Sequence, residues 1–298
     1  MFAIVGTVPD EDFPVSCGPI EMSGHSLKLE NQAEGQTGTQ TMDIARGTPA
    51  LLAAAAQVCR FFGAPPPYAY LAGDIGRGRG SRNLYKFLET RLPACCFSSL
   101  TFHYVQPDVD WHNRILFAIE KMHRRPVLIA DAGFMYAAKM SGQAEAYDVF
   151  TPDIGELAFL ADAEAPHPFY TRGFIFHESN RVPDLINSAY KHNNAARFLM
   201  VKGETDILAD GTGQIAAVSD PLVPALEAIG GTGDILTGLL SAFIGLEKDI
   251  RTACVLAAQV SRMAGKLANP DPGTQVMEII AHIPTELKEL NIEYQPLT

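Results

Sequence analysis

The chain reads as an α/β sandwich built on a mainly parallel central sheet, and three observations predict it. Short apolar runs rich in sheet-favouring residues recur along the chain, and between them lie longer stretches with the spacing and punctuation of helices. Strands alternating with helices in this way call for a sheet covered on both faces. The composition supports a large core, with 47% hydrophobic and only 19% charged residues in 298, and no Pro/Ser-rich linker or charge block divides the chain. One domain spanning 1–298 is expected.

Taken in order, "FAIVG" (2–6) predicts the first strand. The segment 9–46 is polar, rich in Gly, Gln and Thr and without a period, which suits a lid, an edge hairpin or a flexible arm. "TPALLAAAAQVCRFFG" (48–63) carries Thr and Pro at its start and Gly at its end, the punctuation of a helix, and its alanines allow close packing. "YAYLAG" (68–73) predicts a strand, followed by the glycine-rich "GDIGRGRG" (73–80) and an amphipathic helix at 81–92. A second such helix is expected at 110–125, before strands "PVLIAD" (126–131) and "DVFT" (148–151). "RFLMVK" (197–202) and "TDILAD" (205–210) predict two more strands with a turn at Asp210-Gly211. A glycine cluster then precedes a buried helix after residue 230, and "IRTACVLAAQVSRMAGKLAN" (250–269), apolar nearly all round, predicts another.

The formal net charge of -11 repels nucleic acid and anionic membrane, so neither is an expected partner. Five cysteines in so long a chain make no disulfide framework and no paired zinc motif, and the adjacent Cys95 and Cys96 read as ordinary buried thiols. The first residues carry no basic leader, and no run approaches the ~18 apolar residues of a membrane span. A reduced, cytoplasmic setting is expected. The eight histidines, His103 and His177 among them, show no metal-ligand spacing, and no G-x-S-x-G elbow is present. No metal ligands are expected from side chains.

The chemistry concentrates in "EAIGGTGDILTGLLSAFI" (227–244). Gly230, Gly231 and Gly233 let the backbone approach a ligand, and the free N–H groups of the helix that follows form an anion site. A carboxylate at Asp234, beside a bound phosphate, makes sense if it faces the attacking hydroxyl and takes its proton while the amides hold the developing charge. The bland alternative is that Asp234 caps the helix and the glycines form a loop. Lys202, at a strand end, is placed to offer a charge to a nucleotide phosphate, with Thr205 as a hydroxyl donor; a lysine there is otherwise merely solvated. "FTPDIGELAFL" (150–160) reads as a strand-to-helix turn, and Asp131 stands at another strand end. Arg77, Arg79 and Arg82 make the loop at 73–82 the densest basic patch. Its glycines match neither the dinucleotide fingerprint nor the Walker motif, so it reads as an anion-facing loop at most.

The ordered set "GRGRG", "LIADAG", "FTPDIGELAFL", "MVKGETDILADGTG" and "GGTGDILTGLLSAFI" resembles the ADP/ATP-dependent NAD(P)HX dehydratases of the ribokinase-like superfamily, most clearly over 47–269. The resemblance implies a ribokinase-like three-layer α/β/α sandwich. It implies an enzyme that repairs hydrated NADH or NADPH, using ADP or ATP with Mg²⁺ to phosphorylate the added hydroxyl so that phosphate leaves. By the same resemblance Asp234 is the base and touches substrate, with Gly78, Asp153 and Thr48 also at the substrate. Lys202, Gly203, Glu204, Thr205 and Asp206 form the nucleotide-binding turn, joined by Gly231, Thr232 and Gly233; a homo-oligomer is implied too. Two positions depart from the family pattern: Asp153 stands where His is usual, and Thr48 where Ala is usual. A carboxylate next to an anionic dinucleotide weakens binding unless a cation compensates. A small-molecule kinase of the same superfamily, acting on a sugar or a heterocyclic alcohol, and a catalytically silent nucleotide-binding protein are the alternatives.

Overall fold

The structure, a computed structural model, describes residues 1–33, 38–167 and 181–292. Among them the strands are β1 (Ala3–Val8), β2 (Ser16–Ser23), β3 (Ser26–Glu30), β4 (Thr39–Asp43), β5 (Tyr68–Gly73), β6 (Ser99–His103), β7 (Val127–Ala130), β8 (Val149–Phe150), β9 (Phe198–Val201), β10 (Asp206–Asp210) and β11 (Gly213–Val218). The helices are α1 (Thr48–Phe61), α2 (Arg79–Arg91), α3 (Val109–Glu120), α4 (Ala132–Met140), α5 (Ile154–Ala161), α6 (Val182–Lys191), α7 (Thr232–Gly245), α8 (Ile250–Leu267), α9 (Val276–Ile280) and α10 (Ile283–Glu289).

All strands join one sheet in the order β11-β10-β9-β8-β7-β6-β1-β5-β2-β3-β4. From β9 to β5 the neighbours run parallel; β10 and β11 extend one edge antiparallel, and β2, β3 and β4 extend the other. The polar stretch 9–46 thus contributes three antiparallel strands rather than an arm without structure. Side chains alternate between two cores, as a sheet covered on both faces requires. Ile4 of β1, with Phe198 and Met200 of β9, packs with α1, α7 and α8 on one face, while Val5, Leu199 and Val201 pack with α2 to α6 on the other.

Two expectations need correction. The helix expected at 110–125 ends at Glu120, and the chain turns through 121–125 to Pro126, which resists helical backbone before it. The cysteine pair is not buried: Cys95 is partly covered by Tyr70 and Cys96 is exposed. Among the described residues no helix is long and apolar enough to cross a membrane. His177 lies outside the described residues.

One packing detail positions the site. The Ala-rich α1 crosses α7 so closely that a Cβ on Gly238 would stand 2.3 Å from the Leu51 carbonyl oxygen. Only a residue without a side chain permits that approach, and it brings the N-terminus of α1 beside that of α7.

Candidate active site

Ligands of open α/β sheets bind beyond the carboxyl ends of the strands. That edge here collects His103 at the end of β6, Asp131 after β7, Thr151 after β8 and Lys202 after β9, with the starts of α1 and α7 lying over them.

Asp234 is not the helix cap. Gly231 occupies that position with φ 106° and no side-chain capping bond, and Asp234 lies in the first turn of α7. Its carboxylate reaches across to α1 and β6. Oδ2 accepts the Gly47 N–H at 2.6 Å, and Oδ1 lies 2.9 Å from His103 Nε2. Since a carboxylate accepts, Nε2 carries the ring proton, and Nδ1 is then free to accept from the Thr48 hydroxyl at 3.0 Å. Hydroxyl, imidazole and carboxylate fall in the order of a hydrolase triad, but Thr48 is 1% exposed and cannot meet a substrate, so it orients the ring instead. Burial alone would raise the Asp234 carboxyl. The hydrogen bond from His103, the electrostatics of His103 and Lys202, and the Gly47 N–H outweigh that and hold it below its usual range.

Behind this pair sits a second charged group. Lys202 Nζ lies 2.9 Å from both oxygens of Asp131, whose Oδ2 also accepts the Thr237 hydroxyl at 2.6 Å and approaches His103 Nε2 to 4.0 Å. Desolvation would lower the Lys202 ammonium, but Asp131, Glu156 and Asp234 more than reverse this and raise it. Glu156 is pushed up to about 8, chiefly by desolvation, which the nearby Lys202 charge opposes. The Lys202 charge is therefore shared with acids of the protein and is not a free cation awaiting phosphate.

The other expected residues divide. Gly233 belongs to the cluster: a Cβ there would lie 3.5 Å from the Lys202 side chain. The turn 202–206 is pinned from α8, where Arg262 donates to the carbonyls of Gly203 and Glu204, each at 2.9 Å, and pairs with Asp206 at 2.7 Å. Asp206 also receives the Gly203 N–H at 3.1 Å, while Thr205 is half-buried and Glu204 exposed. The Thr232 hydroxyl bends back to the Ile229 carbonyl at 3.3 Å. Asp153 caps α5 in a reciprocal box with Glu156, at 2.7 and 2.8 Å, so the acid in place of His serves the helix start.

Gly78 is the left-handed cap of α2, and its N–H goes to Asp74 at 2.9 Å. Asp74 also takes the N–H groups of Gly76 and Ser81, at 3.0 and 2.8 Å. The glycine-rich loop thus cradles the protein's own carboxylate, and of its arginines Arg77 pairs with Glu11 at 3.2 Å. A cavity of about 340 Å³ adjoins this loop, lined by Glu11, Asp74, Arg77, Arg79 and Asn83 among others.

The comparisons bear on this geometry. Residues 106–285 match the carbohydrate-kinase family model described as NAD(P)H-hydrate dehydratase. The chain belongs to this family. It is 40% identical over 217 residues to an uncharacterized protein of Methanocaldococcus jannaschii, covering 72% of this chain and 89% of that protein. It is 27% identical over 182 residues to the bifunctional NAD(P)H-hydrate repair enzyme of Pyrobaculum aerophilum, but spans only 33% of that protein and 59% of itself. A hydroxyethylthiazole kinase of Limosilactobacillus reuteri matches at 29% over 126 residues, 41% of this chain and 43% of the kinase. Among solved structures, a ribokinase-like superfamily protein from Enterococcus faecalis superposes with a TM-score of 0.55 at 15% identity, covering 81% of this chain and 83% of that one. The fold is ribokinase-like, with a mostly parallel central sheet and helices on both sides.

Proposed function

We propose that this protein dehydrates hydrated NADH or NADPH with ADP or ATP as phosphoryl donor, and that Asp234 is the base. The observation that carries the reading is Asp234 itself. It is an ionised carboxylate fixed on both oxygens, in the first turn of a helix whose leading amides have no intrahelical acceptor. Substrate hydroxyl at Asp234 and donor phosphate at the amides of Thr232 and Gly233 then meet in one place. The hydroxyl oxygen attacks the terminal phosphorus as the bond to the departing ADP or AMP breaks, and Asp234 takes the hydroxyl proton; phosphate then leaves the ring carbon as the neighbouring carbon gives up a proton to solvent, and the C=C bond of the reduced nicotinamide forms. A carboxylate of lowered basicity suffices, because phosphoryl transfer through a loose transition state needs positioning and charge stabilisation more than early proton removal.

Among the described residues no cluster of three acid, His or Cys ligands could hold a metal ion. Mg²⁺ brought in by the nucleotide fits this site through phosphate oxygens and water, where it would neutralise phosphate charge. We expect a homo-oligomer and a cytoplasmic setting, as the family resemblance and the composition suggest.

Asp153 in place of the family His, and the hydroxyethylthiazole kinase among the relatives, favour one second reading: a kinase that stops at the phosphorylated alcohol. Incubation with hydrated NADPH and ADP or ATP separates the two. Recovery of reduced-nicotinamide absorbance supports the dehydratase. A stable phosphorylated product from a heterocyclic alcohol, with no such recovery, supports the kinase. Thermal stabilisation by nucleotide without turnover of any alcohol would leave only a silent binding protein.

A further inference from the structure

A phosphoryl group in transfer needs positive charge beside it, and a chain of formal net charge -11 repels a nucleotide unless the pocket is locally positive. The cations on the strand ends and on α8 do not meet that need. Lys202 is held by both oxygens of Asp131, and Arg262 directs its nitrogens to Asp206 and to the carbonyls of Gly203, Glu204 and Ser219. The charge has to come from elsewhere.

Arg46, in the link between β4 and α1, stands against the glycine loop that opens α7. A Cβ on Gly230 would lie 3.5 Å from Arg46 Cδ, and one on Gly231 would lie 3.4 Å from Arg46 Cα. The stem therefore runs along the loop, and the guanidinium begins one bond beyond Cδ. Its backbone is fixed too, because the next N–H, that of Gly47, is the one that donates to Asp234 at 2.6 Å. Arg46 thus joins the acid that faces the hydroxyl to the loop that leads into the amides of Thr232 and Gly233. Its side chain is exposed and makes no ion pair or hydrogen bond among the described residues. An unpaired arginine on a surface is ordinary, but one packed on a glycine loop, next to the residue that holds the base, is placed for an anion. It lies outside residues 106–285, which match the family model, so that likeness gives it no role.

We propose that the Arg46 guanidinium binds the terminal phosphate of the donor nucleotide and supplies the positive charge that the amides of Thr232 and Gly233 lack. An arginine meets phosphate oxygens with two parallel N–H bonds, which fixes the group as well as neutralising it. The proposal rests on the reading of Asp234 as base and of the α7 start as the phosphate site, and it deepens that reading by naming its cation. Arg46 takes no proton and forms no covalent bond. As the acceptor oxygen bonds to phosphorus and the bond to ADP or AMP breaks, Asp234 takes the hydroxyl proton and Arg46 holds the outer oxygens of the moving group.

The test compares wild type with Arg46→Met, which keeps the stem against Gly230, and Arg46→Lys, which keeps the charge, with melting temperature as the control for folding. Calorimetry with AMP and with a non-hydrolysable ATP analogue reads binding without turnover. Arg46→Met weakens the analogue roughly ten- to a hundredfold, the range for hydrogen bonds to a charged group, and leaves AMP within about twofold, because AMP lacks the terminal phosphate. Arg46→Lys recovers part of the loss, since an ammonium supplies a point charge without the fork. Where hydrated NADPH is turned over, kcat in Arg46→Met falls about 10²–10³-fold with the acceptor KM unchanged, as for loss of a donor at a developing anion. Unchanged analogue affinity in a folded Arg46→Met, an equal loss for AMP, an Arg46→Lys no better than Arg46→Met, or an effect confined to the acceptor KM overturns the proposal and leaves Asp234 as base intact. Wild type that binds the analogue but turns over no alcohol refutes the catalytic reading alone, and the analogue-against-AMP comparison then decides Arg46. Wild type that binds neither nucleotide refutes both.

Discussion

Replacing Asp234 by Asn changes one atom and tests the chemistry at its centre. The carboxylate accepts two hydrogen bonds, from Gly47 N–H at 2.6 Å and from His103 Nε2 at 2.9 Å. A carboxamide can accept only one of them in this geometry. With its oxygen toward His103, its NH₂ faces the Gly47 N–H, donor against donor, and the unsatisfied buried group costs about 1–3 kcal/mol of stability. Losing the charge that His103 and Lys202 favour adds to that cost, so the melting temperature of the variant is measured before its kinetics. Catalysis loses far more. Without the base, kcat falls by about 10²–10⁴, which is about 2.7–5.4 kcal/mol at 1.36 kcal/mol per tenfold. The assay is recovery of reduced-nicotinamide absorbance from hydrated NADPH at saturating nucleotide, with nucleotide affinity measured separately by calorimetry. Affinity should hold within a few-fold, because in the proposed arrangement the amides of Thr232 and Gly233, and not the Asp234 side chain, bind the donor phosphate. A kcat within threefold of wild type in a folded, nucleotide-binding variant would refute the reasoning.

Further outcomes follow from the same contacts. Because the Asp234 carboxyl is held below its usual range, the base stays ionised through mildly acid pH, and kcat/KM should show no acid limb from this residue between about pH 8 and 5. The sign for stability agrees: a depressed acid contributes stability above 3.8 that disappears as pH falls through its folded value, which an acid denaturation series on wild type and Asp234→Asn would reveal. His103→Leu removes both the donor to Asp234 and the acceptor for Thr48, so kcat should drop about tenfold or more with nucleotide KM unchanged; loss of nucleotide binding would instead assign His103 to the donor side. Gly231→Ala should cost about 1–3 kcal/mol by denaturant midpoint, since φ is 106° and the new methyl would meet Val276 at 2.9 Å. Arg262→Met should cost about 3–5 kcal/mol by leaving buried Asp206 unpaired, and a neutral result would show that the turn 202–206 is held by other means.

Most of the sheet could be read from the sequence because its strands are apolar on both faces, as β1, β5 and β9 are. The strand that matters most to the site could not. β6 alternates Ser99, Thr101 and His103 with Leu100 and Phe102, and the polar set breaks the apolar run. In the fold two of those polar side chains find partners on α7, with Thr101 2.7 Å from Ser241 and His103 bonded to Asp234, while the buried Ser99 hydroxyl has no partner among the described residues. A strand buried on both sides can carry polar groups when partners across the interface satisfy them, and that partner lies 131 residues away in sequence for His103. Asp234 was legible because glycines and a helix start surround it locally. The partnership of Asp131 with Lys202, and of Asp206 with Arg262, was not, since each pair joins elements that only the sheet order brings together. In the glycine-rich loop Asp74 takes the amides of Gly76, Gly78 and Ser81, an internal arrangement that the glycine spacing does not announce.

The most direct test is a crystal structure of the protein with a non-hydrolysable ATP analogue. The account predicts the terminal phosphate on the amides of Thr232 and Gly233, with the Asp234 carboxylate still bound to His103 and Gly47 and facing the phosphorus from the acceptor side. A terminal phosphate seated elsewhere, on the arginines of the 76–82 loop for instance, or an Asp234 carboxylate turned away from it, would contradict the account.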